Sequence, residues 1–194
     1  MAHPFRYFRV LLCMLLAAAL CAACAVEVGE ALPLETYQDP GGRFTLSIPK
    51  GWQAESAPDG SLLTLTPLDY AGAETELRVL VYISPTNTLD TSEHVEEATA
   101  LFQPFLEQYL DDSYEVINQG ETKVDKVPAF LIDYAKPYGQ TYLTGRLVMV
   151  AVPGYALAFL GSAERSGWES FLPTFRALLA DFHLLLIPES TPLP

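Results

Sequence analysis

The chain has 194 residues, half of them hydrophobic and 18% charged, and a formal net charge of −13. That length suits one domain with a proper core. Such an acidic chain is repelled by phosphate backbones and by anionic lipid heads, which argues against nucleic-acid binding. Removing the first 23 residues removes Arg6 and Arg9 and no acid, so the remainder is more acidic still. Solubility is the plain reading of that charge.

The N-terminus has the layout of a targeting segment. Arg6 and Arg9 precede an uncharged run, Val10 to Ala23, of about 14 residues. That is the length of a signal-peptide core and short of the roughly 20 residues that span a bilayer. All three cysteines lie here, Cys13, Cys21 and Cys24. Ala22 and Ala23 are small enough for a signal peptidase, and Cys24 follows at once. The spacing resembles the bacterial lipobox, in which the cysteine after two small residues is lipidated and becomes the new N-terminus. The lipobox usually has an aliphatic residue where this chain has Cys21, and bulky Leu20 argues against Cys21 as the lipidated residue. The reading taken is residues 1–23 as a lipoprotein signal peptide and Cys24 as the lipidation site. Cleavage without lipid, and an uncleaved anchor reaching Val26, are the alternatives. All three place the body outside the cytoplasm, with the arginines inside. A diacylglycerol on Cys24, carrying two acyl chains, gives a stable anchor where one chain gives a marginal one. Beyond Cys24 there is no cysteine, so the body has no disulfide, thiolate nucleophile or Cys-ligated metal.

Residues 24–34 read as a short tether, 35–187 as the body and 188–194 as a Pro-rich loose tail. Asp39-Pro40-Gly41-Gly42 is a turn, since proline presets one dihedral and glycine allows positive φ. Phe44, Leu46 and Ile48 alternate with Thr45 and Ser47, the period of a half-buried strand. Pro49 ends it, and Gly51 lets Trp52 fold back. Leu63 and Leu65 mark a second strand, and Leu77–Ser84 a third. Asp90 and Glu93 form a capping-box pattern ahead of Val95, Ala98, Phe102, Phe105, Leu106 and Tyr109, an apolar helical face. Pro104 inside this run is expected to kink or split the helix. Tyr114–Glu121, Ala129–Tyr134, Tyr142–Val152 and Tyr155–Ser162 are strand-like. Pro153-Gly154 implies a hairpin between the last two. A final helix is expected from Ser166, with Glu169 completing a cap. Its buried stripe is Trp168, Phe171, Leu172, Phe175, Leu178, Leu179 and Phe182, and Pro173 is expected to bend it.

Short links exclude a parallel doubly wound sheet, which needs a crossover at each step. The class is α+β, an antiparallel sheet with helices packed on its faces. "FTLSIPKGWQ", "VPAFLIDY", the hairpin "VMVAVPGYALAFLGSA" and "WESFLPTFRALLADF" follow one another in an order that resembles PsbP-like domains, with DcrB-like lipoproteins among the bacterial relatives. The resemblance covers Tyr37 to Leu186. It implies a PsbP-like α/β/α sandwich and no shared chemistry. Members include a subunit stabilising the oxygen-evolving side of photosystem II, a Ran-binding import factor and lipoproteins of obscure role.

The search for chemistry yields little. His94 lies among Glu93, Glu96 and Glu97, where a solvated helix face fits better than a metal site. His183 follows the last helix, where a cation complements the dipole. "GSAERSG" lacks the G-x-S-x-G turn of a hydrolase nucleophile, and Ser166 is better used as a cap. Asp111-Asp112 and Glu96-Glu97 are adjacent in sequence and do not face one another. There is no phosphate-binding glycine loop. The tyrosines and phenylalanines are core residues first and pocket residues second, and "KPYGQTY", Lys136–Tyr142, reads as a polar loop open to contacts. No catalytic, cofactor-binding or metal residue is assigned, and no cofactor is expected. The expectation is a lipid-anchored, non-catalytic module on the outer face of the cell membrane, acting on a protein partner. A surface carrier of a small molecule or metal is the rival, and a hydrolase a third reading.

Overall fold

A computed structural model describes residues 32–68, 77–85, 95–110, 113–152 and 154–185, with backbone alone for 95–101. In chain order the elements are β1 (Leu34–Gln38), β2 (Phe44–Pro49), β3 (Trp52–Ser56), β4 (Leu62–Pro67), β5 (Arg78–Pro85), α1 (Val95–Tyr109), β6 (Glu115–Val124), β7 (Val127–Tyr138), β8 (Thr141–Val152), β9 (Tyr155–Glu164), α2 (Arg165–Ala180) and β10 (His183–Leu184). Seven strands form one antiparallel sheet in the order β3-β4-β5-β9-β8-β7-β6. A smaller sheet, β1-β2-β10, stands apart from it. The second sheet departs from the single sheet expected, because Gly51, at φ +82°, breaks the chain between β2 and β3 and sends them to different sheets.

Apolar runs decide which strands are central. Tyr155 to Ala163 of β9 and Leu147 to Val152 of β8 are buried without a break, so these strands need cover on both faces. Strand geometry sends alternate side chains to opposite faces. Val148, Val150, Leu157 and Phe159 go to one core, with Phe171, Phe175 and Leu178 of α2 and with Phe44 and Leu46 of β2. Leu147, Met149, Ala156, Ala158 and Leu160 go to the other, with Phe102, Phe105 and Leu106 of α1. The layers are therefore α1, the large sheet, and then α2 with the small sheet. Each fully buried Leu or Phe contributes roughly 1.5–3 kcal/mol, so neither face can be left open. Rings lock the α2 side: Trp52 stacks on Phe171 at 5.7 Å, and Phe182 meets Phe44 at 5.3 Å and Phe159 at 4.9 Å. The expected β8–β9 hairpin is present, with Val152 opposite Tyr155 and Gly154 at φ +93°.

Several local expectations need correction. Pro104 does not split α1, which runs through it. The ring is exposed, so the hydrogen bond it removes lies on the side where water can replace it. Pro173 lies inside α2, as expected. Ser166 is not the cap. Strand β9 stays paired to Glu164, opposite Leu143, and the helix starts at the next residue without a side-chain cap. The buried stripe of α2 includes Thr174, whose Oγ1 accepts the Leu32 N–H at 3.2 Å. Leu172 and Leu179 are only half-buried. "KPYGQTY" is not a loop: β7 and β8 pair as far as Tyr138 and Thr141, leaving Gly139 and Gln140 as the turn. At the N-terminal side, Leu32 bonds to Thr174 and the Pro33 carbonyl accepts the Lys50 N–H at 2.6 Å. The last residues assigned to the tether are thus held on the body. Cys24, the Asp90–Glu93 capping box, His94, Asp111, Asp112 and the 188–194 tail lie outside the described residues, as do the side chains of Glu96 and Glu97.

One glycine lets the central strands approach. A Cβ on Gly145 of β8 would stand 2.4 Å from the Gly161 carbonyl oxygen and 2.5 Å from the hydroxyl of Tyr134, which is itself buried. One obstacle is backbone and the other a packed ring, so neither can yield. Gly145→Ala is expected to cost on the order of 2–3 kcal/mol and to lower the midpoint of thermal unfolding by several degrees. Gly120→Ala, on β6 with nothing within 4 Å of its added carbon, should shift it by less than about 0.5 kcal/mol equivalent. Circular dichroism melting of the two variants checks the contrast.

Candidate functional site

The Asp39–Gly42 turn delivers Arg43 to a point where four stretches of chain meet. Arg43 Nε and Nη2 donate to Asp39 Oδ2 and Oδ1 at 2.7 and 2.8 Å, a two-pronged pair, and the Arg43 N–H adds a third bond to Oδ2 at 3.1 Å. Asp39 is 4% exposed. Burial alone would raise its carboxyl pKa, but the hydrogen bonds and charge of Arg43 outweigh that and hold it below the ordinary value. Arg43 Nη2 also donates to the Gly60 carbonyl at 3.0 Å, in the β3–β4 turn. Its own carbonyl accepts the Tyr155 hydroxyl at 2.9 Å and the Leu185 N–H at 2.8 Å. Burial raises the Tyr155 pKa, so that hydroxyl stays a donor.

The turn that Arg43 grips forms one wall of a cleft. From Ala57 to Ser61 the chain reverses, with the Gly60 N–H donating to Ala57 O at 2.9 Å and Gly60 at φ +68°. Asp59 Oδ1 accepts the Ser61 N–H at 3.0 Å and its hydroxyl at 2.7 Å. These two bonds lower the pKa of the exposed Asp59 carboxyl. The Ser61 carbonyl takes the Ile83 N–H at 2.8 Å, so the turn is pinned to β5 as well. Opposite stands the C-terminal half of α1. Tyr82 of β5 stacks on Phe105 at 5.0 Å, and Phe105 meets Tyr109 at 4.9 Å. Between the turn and these rings lies a cleft of about 440 Å³, lined by Ala57, Pro58, Asp59, Ser61, Leu62, Tyr82, Gln108 and Tyr109. Lys136 Nζ donates to the Tyr109 carbonyl at 3.3 Å and steadies the end of α1.

The cleft presents contact groups of three kinds. Two half-buried tyrosines offer aromatic rings, Asp59 a carboxylate, and Ser61 and Gln108 neutral polar groups. Among the described residues no three His, Cys, Asp or Glu side chains are grouped to hold a metal. Of the residues singled out in the sequence, His183 lies on β10 with Nδ1 3.7 Å from Asp125 Oδ1, while Asp125 Oδ2 accepts the Leu184 N–H at 2.8 Å. That contact clasps β10 to the β6–β7 turn, away from the cleft lining. Ser166 is exposed in the first turn of α2. Sequence reading set tyrosines down as core and missed Asp59, Tyr82 and Tyr109 as one site. The available signal was Pro58-Asp59-Gly60, a turn pattern between two alternating strands.

No protein-family model and no curated protein sequence matches the chain. Solved structures do share its fold. The solution structure of cyanobacterial PsbP (CyanoP) from Synechocystis is 19% identical, with a TM-score of 0.60 over 81% of this chain and 95% of that one. LpqN of Mycobacterium tuberculosis, described as involved in cell envelope biogenesis, is 9% identical, with a TM-score of 0.58 over 79% of this chain and 91% of that one. The Ran-binding protein Mog1p of Saccharomyces cerevisiae is 10% identical, with a TM-score of 0.55 over 80% of this chain and 97% of that one. The body therefore has the PsbP-like α+β fold.

The Arg43 staple yields a test. A depressed carboxyl pKa contributes stability that is full above the unfolded value, 3.8 for Asp39, and is lost as pH falls through the lower folded value. Arg43→Met leaves the buried Asp39 charge without its partner. At pH 7 it should lose about 2–3 kcal/mol, less than a wholly buried pair because Arg43 is partly exposed. The deficit should shrink as Asp39 protonates below about pH 4. Thermal unfolding of wild type and variant across pH 2.5–7 checks it, and a pH-independent deficit would refute the electrostatic account.

Proposed function

We propose that the chain is a lipid-anchored, extracytoplasmic, non-catalytic module that binds or stabilises a membrane-associated partner. The observation that carries this reading is a PsbP-like body behind a signal-like segment ending in Ala22-Ala23-Cys24. Fold does not fix function. Still, a fold shared by a Ran-binding protein and by a protein involved in cell envelope biogenesis is one used for binding and accessory work, and such a use fits this chain. In this reading Cys24 carries the acyl chains, and the first described residues, Leu32 to Leu34, already bond to the body. That leaves few residues between lipid and domain and keeps the domain beside the bilayer.

A second reading, a cell-surface carrier of a small molecule, is favoured by the cleft between the Ala57–Ser61 turn and Tyr82 and Tyr109. Native mass spectrometry separates the two: a bound mass that survives purification favours the carrier.

Cys24→Ser is expected either to move the protein out of the detergent phase or to stop processing of residues 1–23, leaving a precursor of higher mass. Phase partitioning and intact mass check this, and an unchanged partition with an unchanged mature mass would remove the anchor from the reading. Crosslinking of intact membranes should then enrich the same partner in replicate with wild type and lose it with Cys24→Ser.

A further inference from the structure

We propose that the cleft beside the Ala57–Ser61 turn is a receptor for an organic cation, an alkylammonium or guanidinium head group. This inference rests on the reading of the cleft as a ligand site and names the chemistry that site selects. The volume, about 440 Å³, suits a small head group with a short tail. Its polar lining is one-sided. Among the described residues that line it, Asp59 is the single charged one, and no Lys, Arg or His joins it. Lys136, which holds the Tyr109 carbonyl, is not part of the lining.

The carboxylate is fixed before any ligand arrives. Asp59 Oδ1 is engaged by the Ser61 N–H and hydroxyl, and these bonds favour its ionised form. The turn that carries it is gripped from behind by Arg43 through the Gly60 carbonyl, and that guanidinium is itself committed to Asp39. The cation nearest in the bonding network is thus neutralised by its own partner rather than turned toward the cleft.

The lining also includes two aromatic side chains. Tyr82 and Tyr109 are both half-buried and both rest against Phe105. A ring face is the negative end of an aromatic quadrupole and attracts a cation, by about 0.5–2 kcal/mol depending on desolvation. A carboxylate and two tyrosine rings in one lining, in a chain of net charge −13, make a field that draws cations in and repels anions. A neutral ligand of the same shape would meet the same walls without that attraction.

The head group could come from a free metabolite or from a Lys or Arg side chain of a peptide, and the probes separate these sources. The full chain, in a neutral detergent and labelled at tyrosine with ¹⁵N, is titrated with choline and with N-acetyl-arginine amide. Their neutral counterparts, 3,3-dimethylbutan-1-ol and N-acetyl-citrulline amide, are titrated in parallel. At least one cation should shift the Tyr82 and Tyr109 amides saturably, and its neutral counterpart should bind at least tenfold more weakly. Tighter binding of choline assigns a free cation, and tighter binding of the arginine derivative a side chain. Asp59→Asn keeps an acceptor for Ser61, and it should weaken the cation about fivefold to tenfold while leaving the neutral compound unchanged. Equal affinity of cation and neutral counterpart overturns the proposal while leaving the cleft as a ligand site. Absence of a saturable shift at both tyrosines with every probe overturns the proposal without bearing on the anchor or on a protein partner.

Discussion

One ion pair ties the ends of this fold together. Asp39 and Arg43 sit four residues apart in a turn, yet the bonds of Arg43 reach the β3–β4 turn, the start of β9 and the residue after β10. Two sheets that share no strand are joined there. Taking a carboxylate out of water is expensive, and it is tolerable here because three donors from one residue meet it and because part of the guanidinium still touches solvent. The pair is better read as a device for position than as a large source of stability. It sets where Gly60 lies, and so where the carboxylate of Asp59 lies one residue earlier.

The same logic of shared supports explains the rest of the architecture. A seven-stranded sheet with two buried central strands must be covered twice, and α1 and α2 do that from opposite sides. A second pair, Asp133 with Arg146 at 2.6 Å, faces directly across β7 and β8 and fixes their register. Toward the β6 edge the cover runs out. Strand β6 is exposed on both faces over most of its length, with Val116 and Ile117 open to solvent. A bulge between Val116 and Asn118 and the charges of Glu115, Glu121 and Lys123 keep that edge from acting as a template for further strands.

Much of this architecture is legible in the sequence because its signals are local. Period-two alternation gives β2 and β4, continuous apolar runs give β8 and β9, and spacings of three and four give both helices. The α+β class follows from short links alone. Illegible are features set by what the chain meets at a distance. Strand β10 is two residues long and exists only because β2 offers it an edge. Thr174 is buried because Leu32 returns to it from the other end of the body. Pro104 fails to break α1 because its ring faces water, a fact about packing rather than propensity. The cleft is the extreme case. Its carboxylate, its two tyrosines and the arginine behind it come from the β3–β4 turn, β5, α1 and the turn before β2, and no spacing in the sequence brings those together.

Proteins that share this fold at 9–19% identity keep the layers with few residues in common. The layers depend on apolar period and on glycines such as Gly145 and Gly161, whose missing side chains let strands and helix approach. Those demands leave the turns free. What distinguishes one member from another should therefore be sought at turns held rigidly by the frame, where a side chain can vary without disturbing the core. In this chain the Ala57–Ser61 turn meets that description best. It is fastened by Arg43 at Gly60, by β5 at Ser61 and by its own aspartate, and its outer face is left open opposite two braced tyrosines. A rigid turn with an uncommitted face is where this fold can acquire a ligand without having to change its core.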